Sequence, residues 1–350
     1  MSSTQQKALY LDSPCGEFVI KTKEIQKPEP GEVLVKIVAT ALNPADWKVP
    51  KFNPPFIEYY PFLLGADSAG VIEELGEGVT GFAKGDRVIH EADWHDRFAS
   101  FQQYTVVSAE HLAKLPDNLS FEQAASIPLG LATAAIGLYA DCDRPEGVKK
   151  LRPPPWEAGG EGVYKGKAVL VLGGTSSVGK NAIQLLKLSG FSKIIATASL
   201  RNTDMLKSLG ATDVIDRNAD LVSEAKNILS GDSLDLIYDA VGTKEVQSQA
   251  LEILQPGGQL IAAALIHVDT TAHVDKHFIT LFAGFRLPQN WALGKSLHSK
   301  LYDLLASGAI KPNAIEVLPN GLASVVAGLK RIENNEVNGR KLIIRPGETP

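Results

Sequence analysis

The sequence predicts an α/β protein in which a strand-and-turn region precedes a parallel sheet covered on both faces by helices. Three observations carry that expectation. Residues 168–187 read AVLVLGGTSSVGKNAIQLLK: an apolar run enters a small-residue turn, and a helical pattern of Ile183, Leu185, Leu186 and Leu188 leaves it. From residue 129 to residue 305, short aliphatic runs alternate with helix-length segments, the texture of βα units. Residues 1–128 instead hold short β-branched runs bounded by glycines.

In the first region, residues 33–38 (VLVKIV) follow the turn signal Pro30-Gly31. Residues 71–75 and 87–89 are further strands, set among Gly76, Gly78, Gly81 and Gly85. In the second region, strands are expected over residues 169–172, 194–197, 236–238 and 260–263. Helices are expected over 181–188, 203–208, 222–229 and 245–254. Residues 141–167 contain Pro153-Pro154-Pro155 and several glycines, and read as a long surface loop. Residues 306–350 return to strand-like segments, notably KLII at 341–344, and are expected to rejoin the first domain. The division is therefore 1–128, 129–305 and 306–350, with no internal repeat.

The chain has 350 residues, enough for two domains that each bury a core. A hydrophobic content of 44% and a charged content of 21% describe an ordinary globular protein. A net charge of −5 and a pI near 5.9 give no electrostatic reason for a nucleic-acid partner. The two cysteines, Cys15 and Cys142, form no Cys-x-x-Cys, which argues against a disulfide framework and a four-thiolate zinc lobe. The opening MSSTQQKALYLD has no long apolar segment, and the aliphatic run 260–266 is too short to span a bilayer. A cytoplasmic enzyme with no membrane partner is expected.

A strand, a tight small-residue turn and a helix together aim backbone N–H groups at a pyrophosphate. The turn candidates are Gly174, Thr175, Ser176, Ser177, Val178 and Gly179. In the G-x-G-x-x-G template Gly174 and Gly179 fit, while Ser176 takes the middle place; its N–H and hydroxyl can both serve a phosphate. Lys180 is expected to be exposed on the following helix.

Several separate segments resemble one family. Asn43-Pro44-Ala45-Asp46-Trp47-Lys48 resembles the N-P-x-D-x-K segment of zinc-free medium-chain reductases. Leu64-Gly65-Ala66-Asp67-Ser68-Ala69-Gly70 and Gly85-Asp86-Arg87-Val88 resemble that superfamily's G-x-D-x-x-G and G-D-R-V turns. Ala124-Ala125-Ser126-Ile127-Pro128, with Thr133, resembles the segment entering its cofactor domain. Pro256-Gly257-Gly258 and Gly339-Arg340-Lys341 match its P-G-G and closing G-x-K. The resemblance runs over nearly the whole chain, and within the superfamily it is nearest to quinone oxidoreductases and fungal trans-acting enoyl reductases. It implies a GroES-like β-barrel catalytic domain joined to a Rossmann doubly wound cofactor domain. It also implies that Asn43, Asp46, Lys48 and Thr133 face nicotinamide or substrate, and that Val241 and Lys341 join the cofactor set. Turn chemistry alone also accounts for Asn43-Pro44.

Zinc alcohol dehydrogenases of this superfamily carry a cysteine near Pro44 and a Gly-His-Glu in place of Gly65-Ala66-Asp67. Neither ligand position here holds a thiolate or imidazole, so no metal is expected. Without a Lewis acid, an acceptor that spreads its charge by conjugation is favoured: an enone, an enoyl thioester or a quinone. His90 and His95, in HEADWH, read as a solvated loop, and His273 and His277 as one face of an exposed helix. Some enoyl reductases have a catalytic tyrosine several residues after the Asp46 position. Here Phe52-Asn53-Pro54-Pro55 stands in that region, so bound water is the alternative proton source.

About twenty residues beyond the last glycine, NAD enzymes place a carboxylate on the ribose. This chain has Ser199, followed by Arg201 and Asn202, with Arg217 further on. A small hydroxyl with guanidinium neighbours accommodates a 2′-phosphate, which points to NADPH. Both arginines also read as solvated loop residues. The expectation is an NADPH-dependent reductase of activated double bonds, with a quinone reductase as alternative and a non-catalytic NADPH-binding regulator as the alternative of another class. The fungal relatives implied by the resemblance serve a polyketide synthase, which makes such a synthase a candidate partner. The sequence leaves monomer and homodimer equally open.

Overall fold

The computed structural model describes residues 4–55, 57–141, 148 and 150–350. Cys142 lies outside the described residues. The chain divides into two compact units. One comprises Met1–Leu129, Leu297–Ser307 and Pro312–Pro350, and the other Gly130–Ser296 and Gly308–Lys311. Among the described residues, no helix is long and apolar enough to cross a membrane.

The second unit is built on a six-stranded parallel sheet. Its spatial order is Asp213–Asp216, Lys193–Ala198, Ala168–Leu172, Leu234–Asp239, Gln259–Ala262 and His277–Thr280. The first strand, AVLVL, is buried at every position, as a strand covered on both faces must be. The helices Ser177–Leu188, Thr203–Leu209, Leu221–Leu229 and Lys244–Leu251 connect the strands. Leu221, Ala225 and Leu229 recur at helical spacing, and all three join the core of Leu170, Leu172, Ile195, Ile237 and Leu260. The Asp220 carboxylate caps that helix by accepting from the N–H groups of Val222 and Ser223. From Ala168–Leu172 the chain first builds outward on one side and then returns to Leu234–Asp239 on the other. This reversal makes a switch point at the carboxyl ends of those two strands.

The first unit carries a sheet path of Ala314–Val317, Arg340–Ile344, Glu32–Ala41, Asp67–Leu75, Arg87–Glu91 and Ala113–Lys114, with Tyr104–Ser108 also paired to Glu32–Ala41. A smaller sheet joins Phe18–Glu24, Gln5–Leu11 and Phe62–Leu63.

Four sequence expectations are corrected. The return segment is not all strand: Val325–Glu333 is a helix whose Val325 and Leu329 pack with Leu42, Val49, Leu318 and Leu342. The apolar spacing of four residues is helical, and it was hidden by the shortness of the segment. Of the proline-rich stretch 141–167, residues 142–147 and 149 lie outside the described residues; the part from 150 on is not simply a surface loop, because Leu151 and Trp156 are buried. Trp156 packs edge-on to Tyr139 at 5.2 Å and donates from Nε1 to Ser296 Oγ at 3.1 Å. His273 and His277 share no helix; one ends the short turn Thr270–Ala272 and the other opens the strand His277–Thr280. His90 and Glu91 are buried in the strand Arg87–Glu91 rather than solvated, with His90 Nδ1 3.0 Å from the Glu91 carbonyl.

Candidate active site

In the first unit, the head of the helix Pro44–Phe52 gathers a buried polar cluster. Asn43 precedes a proline and is therefore extended, at φ −126° and ψ 155°. Pro44 starts the helix at the one turn where a missing N–H costs nothing. Asp46 Oδ2 accepts the Asn43 backbone N–H at 2.8 Å, and Asp46 N–H donates to the Asn43 carbonyl at 3.0 Å. This backbone exchange leaves the Asn43 side chain available, and it turns to Asp67. Asn43 Nδ2 donates to Asp67 Oδ2 at 2.8 Å, and the Lys341 ammonium donates to Asn43 Oδ1 at 2.6 Å. Lys341 Nζ also lies 3.0 Å from Asp67 Oδ2, with both side chains out of solvent. Asp67 Oδ1 takes the Leu129 N–H at 2.7 Å.

Asp46 is fully buried and its Oδ1 has no hydrogen-bond partner. Burial pushes its carboxyl up to about 7; the Asn43 N–H opposes the rise and the nearby Asp67 charge adds to it. Gly65, whose N–H also acts on Asp46, has φ +97°, and a Cβ there would lie 2.6 Å from the Phe101 ring. Only glycine fits both the angle and the space. Lys48 is exposed on the same helix, with its ammonium 5.8 Å from the Trp47 ring.

This donor set does not suit a divalent cation. An ammonium already occupies the oxygens of Asn43 and Asp67, and their neighbours Pro44 and Ala66 offer no ligand atom. Among the described residues, no three His, Cys, Asp or Glu side chains are grouped to hold a metal.

In the second unit, the turn after Ala168–Leu172 lies at the switch point. The N–H groups of Gly173 and Gly174 are drawn to the neighbouring strand, bonding Thr197 Oγ1 at 2.9 Å and the Thr197 carbonyl at 3.0 Å. Ser176 caps the helix Ser177–Leu188: its Oγ accepts Gly179 N–H at 2.9 Å. Its own N–H bonds the Gly173 carbonyl, which removes that group from phosphate binding and leaves the hydroxyl proton. A Cβ on Gly179 would lie 2.4 Å from the Gly173 carbonyl, so this glycine lets helix and turn touch. Ser177 and Val178 supply the first helical turn, beside Thr175, where a dinucleotide phosphate would be held. Lys180 is buried, contrary to expectation, because residues 179–186 are covered on every face.

Ser199 follows the strand Lys193–Ala198, and its carbonyl accepts from Asn202 N at 2.9 Å and Nδ2 at 3.3 Å. Arg217 N–H bonds the Ala198 carbonyl at 2.9 Å, which sets it beside Ser199 on the adjacent strand end. Arg201 and Arg217 are both exposed, and neither forms an ion pair with another described residue. Thr133 is buried in the helix Pro128–Tyr139, and its carbonyl accepts from the Tyr238 hydroxyl at 3.0 Å.

Sequence reading missed three residues. Asp67 was visible only within a glycine-turn motif. Asp239, fully buried, accepts from the N–H groups of Val241 and Gly242, while its Oδ2 accepts from Gln247 Nε2 at 2.8 Å. Gln247 also donates to the Leu265 carbonyl and accepts from His267 N–H. This network fixes the loops beyond two adjacent strand ends and presents Val241, which is 44% exposed. A polar residue closing an apolar strand, as in LIYD, was the available signal.

Comparison with known proteins bears on both units. Residues 29–117 match the family profile described as alcohol dehydrogenase GroES-like domain, and residues 177–307 that described as zinc-binding dehydrogenase. The trans-enoyl reductase himH of Aspergillus japonicus is 33% identical over 324 residues, covering 89% of each chain. The chain belongs to the medium-chain dehydrogenase/reductase superfamily. Its relatives include the 2-methylene-furan-3-one reductase of Solanum lycopersicum, 34% identical over 90% of this chain and 72% of that one. The quinone oxidoreductase structure from Coxiella burnetii superposes with a TM-score of 0.70, at 25% identity, over 97% of this chain and 99% of that one. The protein is thus an oxidoreductase of the enoyl reductase and quinone oxidoreductase-like branch, with a GroES-like and a Rossmann-like unit and a nicotinamide cofactor.

Proposed function

We propose that this chain is an NADPH-dependent reductase of carbon–carbon double bonds conjugated to a carbonyl, and that it acts without zinc. The observation that supports the zinc-free reading is the Lys341–Asp67–Asn43 cluster, an internal cation beside Pro44 and Ala66, the two positions where the resemblance puts the ligands of zinc-dependent members. The unpaired Arg201 and Arg217 beside Ser199 support a 2′-phosphate, since no carboxylate stands at Ser199 to repel it. Relatives named trans-enoyl reductase and 2-methylene-furan-3-one reductase support the acceptor class.

NADPH, when bound, supplies a hydride to the β-carbon of such an acceptor. The chain's part is to hold that cofactor through residues 174–179, Ser199, Arg201, Asn202, Arg217 and Val241. Lys48, exposed on its helix, donates a hydrogen bond to the developing oxyanion. Asp46, with its carboxyl near 7 and Oδ1 unpartnered, can hold a proton at neutral pH. The resemblance supports Asn43 and Thr133, each in its own unit, as further residues of the proposed catalytic set. An enoyl thioester carried by a polyketide synthase is the natural form of acceptor that the trans-enoyl reductase relatives suggest. A quinone meets the same electronic demand, and the likeness to a quinone oxidoreductase supports it as the second reading.

Product analysis with 4-deuterated NADPH and benzylideneacetone tests the reading. Deuterium on the β-carbon of a saturated ketone is expected. Deuterium on a carbinol carbon means carbonyl reduction and defeats it.

A further inference from the structure

Asp67 opens the strand Asp67–Leu75 with its carboxylate entirely out of solvent. Three donors converge on it: the Leu129 N–H on Oδ1, and Asn43 Nδ2 and Lys341 Nζ on Oδ2. The Thr40 hydroxyl holds the Asp67 carbonyl at 2.6 Å, so the backbone beneath is also fixed. A carboxamide has nearly the same shape either way round, and its orientation is set by what it faces. Asp67 can only accept and Lys341 can only donate. Asn43 is therefore held with Nδ2 toward Asp67 and Oδ1 toward Lys341.

We propose that Asp67 is a positioning residue: it sets the orientation of the Asn43 carboxamide and holds the Lys341 ammonium against it, and turnover depends on that arrangement. The dependence of turnover rests on the reductase reading above; the arrangement rests on geometry alone. A purely structural Asp67 would serve only to cap the Leu129 N–H. Asp67→Asn separates the roles, because an amide keeps an oxygen for Leu129 while turning a donor toward two other donors. Lys341→Met removes the ammonium altogether. Exchanging the pair, as Asn43→Asp with Asp67→Asn, restores donor facing acceptor between those two residues, leaves Lys341 to pair with the new carboxylate at 43, and keeps the charge count, with the carboxamide on the wrong residue.

The test uses the full chain and four readouts: thermal melting, NADPH affinity by fluorescence, enone turnover, and the slowly exchanging lysine ammonium signal in 15N-lysine NMR. Wild type is expected to show such a signal, identified as Lys341 by its loss in Lys341→Met, and Asp67→Asn is expected to lose it too. In folded Asp67→Asn, kcat is expected to fall about 10- to 100-fold while enone KM moves far less, as misoriented groups slow chemistry more than binding. The exchanged pair is expected to recover part of the melting temperature but not kcat. An unchanged kcat in folded Asp67→Asn overturns the proposal, as does full recovery of kcat in the exchanged pair. A wild type without the ammonium signal overturns the arrangement itself. If wild type reduces no enone, the reductase reading fails, and the ammonium signal still decides whether Asp67 holds Lys341.

Discussion

The Lys341 ammonium donates to the Asn43 side-chain oxygen at 2.6 Å, across 298 residues of sequence. The bond fastens the strand Arg340–Ile344 to the head of the helix Pro44–Phe52, and it lies in the interior, where a lone charge would be costly. Asp67 balances that charge, so the cluster is neutral as a pair without an added ion.

The purified protein is expected to contain no stoichiometric zinc. A metal at this place would have to displace the Lys341 ammonium from both oxygens. Elemental analysis finding about one zinc per chain, with activity lost to a chelator, contradicts the assignment.

Arg201→Ala is expected to weaken NADPH selectively. Loss of one charge-assisted phosphate contact costs about 1.5–3 kcal/mol, a rise of roughly ten- to a hundredfold in KM for NADPH. NADH kinetics should hardly change. Equal losses with both nucleotides would show that Arg201 supports the turn rather than the phosphate.

Asp46 makes stability depend on pH. Its carboxyl is held up to about 7 in the folded chain, against about 4 when unfolded. Between those values the folded state keeps a proton that the unfolded state gives up, so stability falls as pH rises and levels off above about 7. At about 1.4 kcal/mol per unit, the contribution is a few kcal/mol. Asp46→Asn cannot ionise, and its melting temperature relative to wild type should climb between pH 4 and pH 7. A constant offset across that range would show that Asp46 does not titrate there.

Gln247→Leu should destabilise the second unit and loosen its nucleotide loops together. It leaves Asp239 Oδ2, the Leu265 carbonyl and the His267 N–H each short of a partner. The buried Asp239 oxygen accounts for about 1–3 kcal/mol of the loss, and the other two groups, on the exposed Leu265 and His267, add less. Melting temperature and NADPH affinity are both expected to drop; a stable variant with weakened NADPH binding alone would instead make Gln247 a direct contact.

What the sequence determined by itself was the alternation of the second unit and the turn at its head. The run AVLVL reads as a buried strand because it is short, β-branched and closed by glycines, and Gly173-Gly174 with the small hydroxyl residues Thr175 and Ser176 mark the tight turn after it. The helix Val325–Glu333 escaped because nine residues hold only about two and a half turns of periodicity, too few to outweigh the β-branched residues around them. Lys180 escaped because exposure of a helix depends on what packs over it, which local sequence does not contain.

Asn43, Asp46 and Lys341 could be named from motifs, whereas their joining through Asp67 was decided only by the tertiary structure. A buried ion pair is a long-range object: the pairing of strands hundreds of residues apart brings its members within 3.0 Å, and burial then leaves each dependent on the others for its hydrogen bonds. Asp46 shows the same limit in one residue. Its identity was legible at once, but its carboxyl near 7 exists only because the folded chain closes over it.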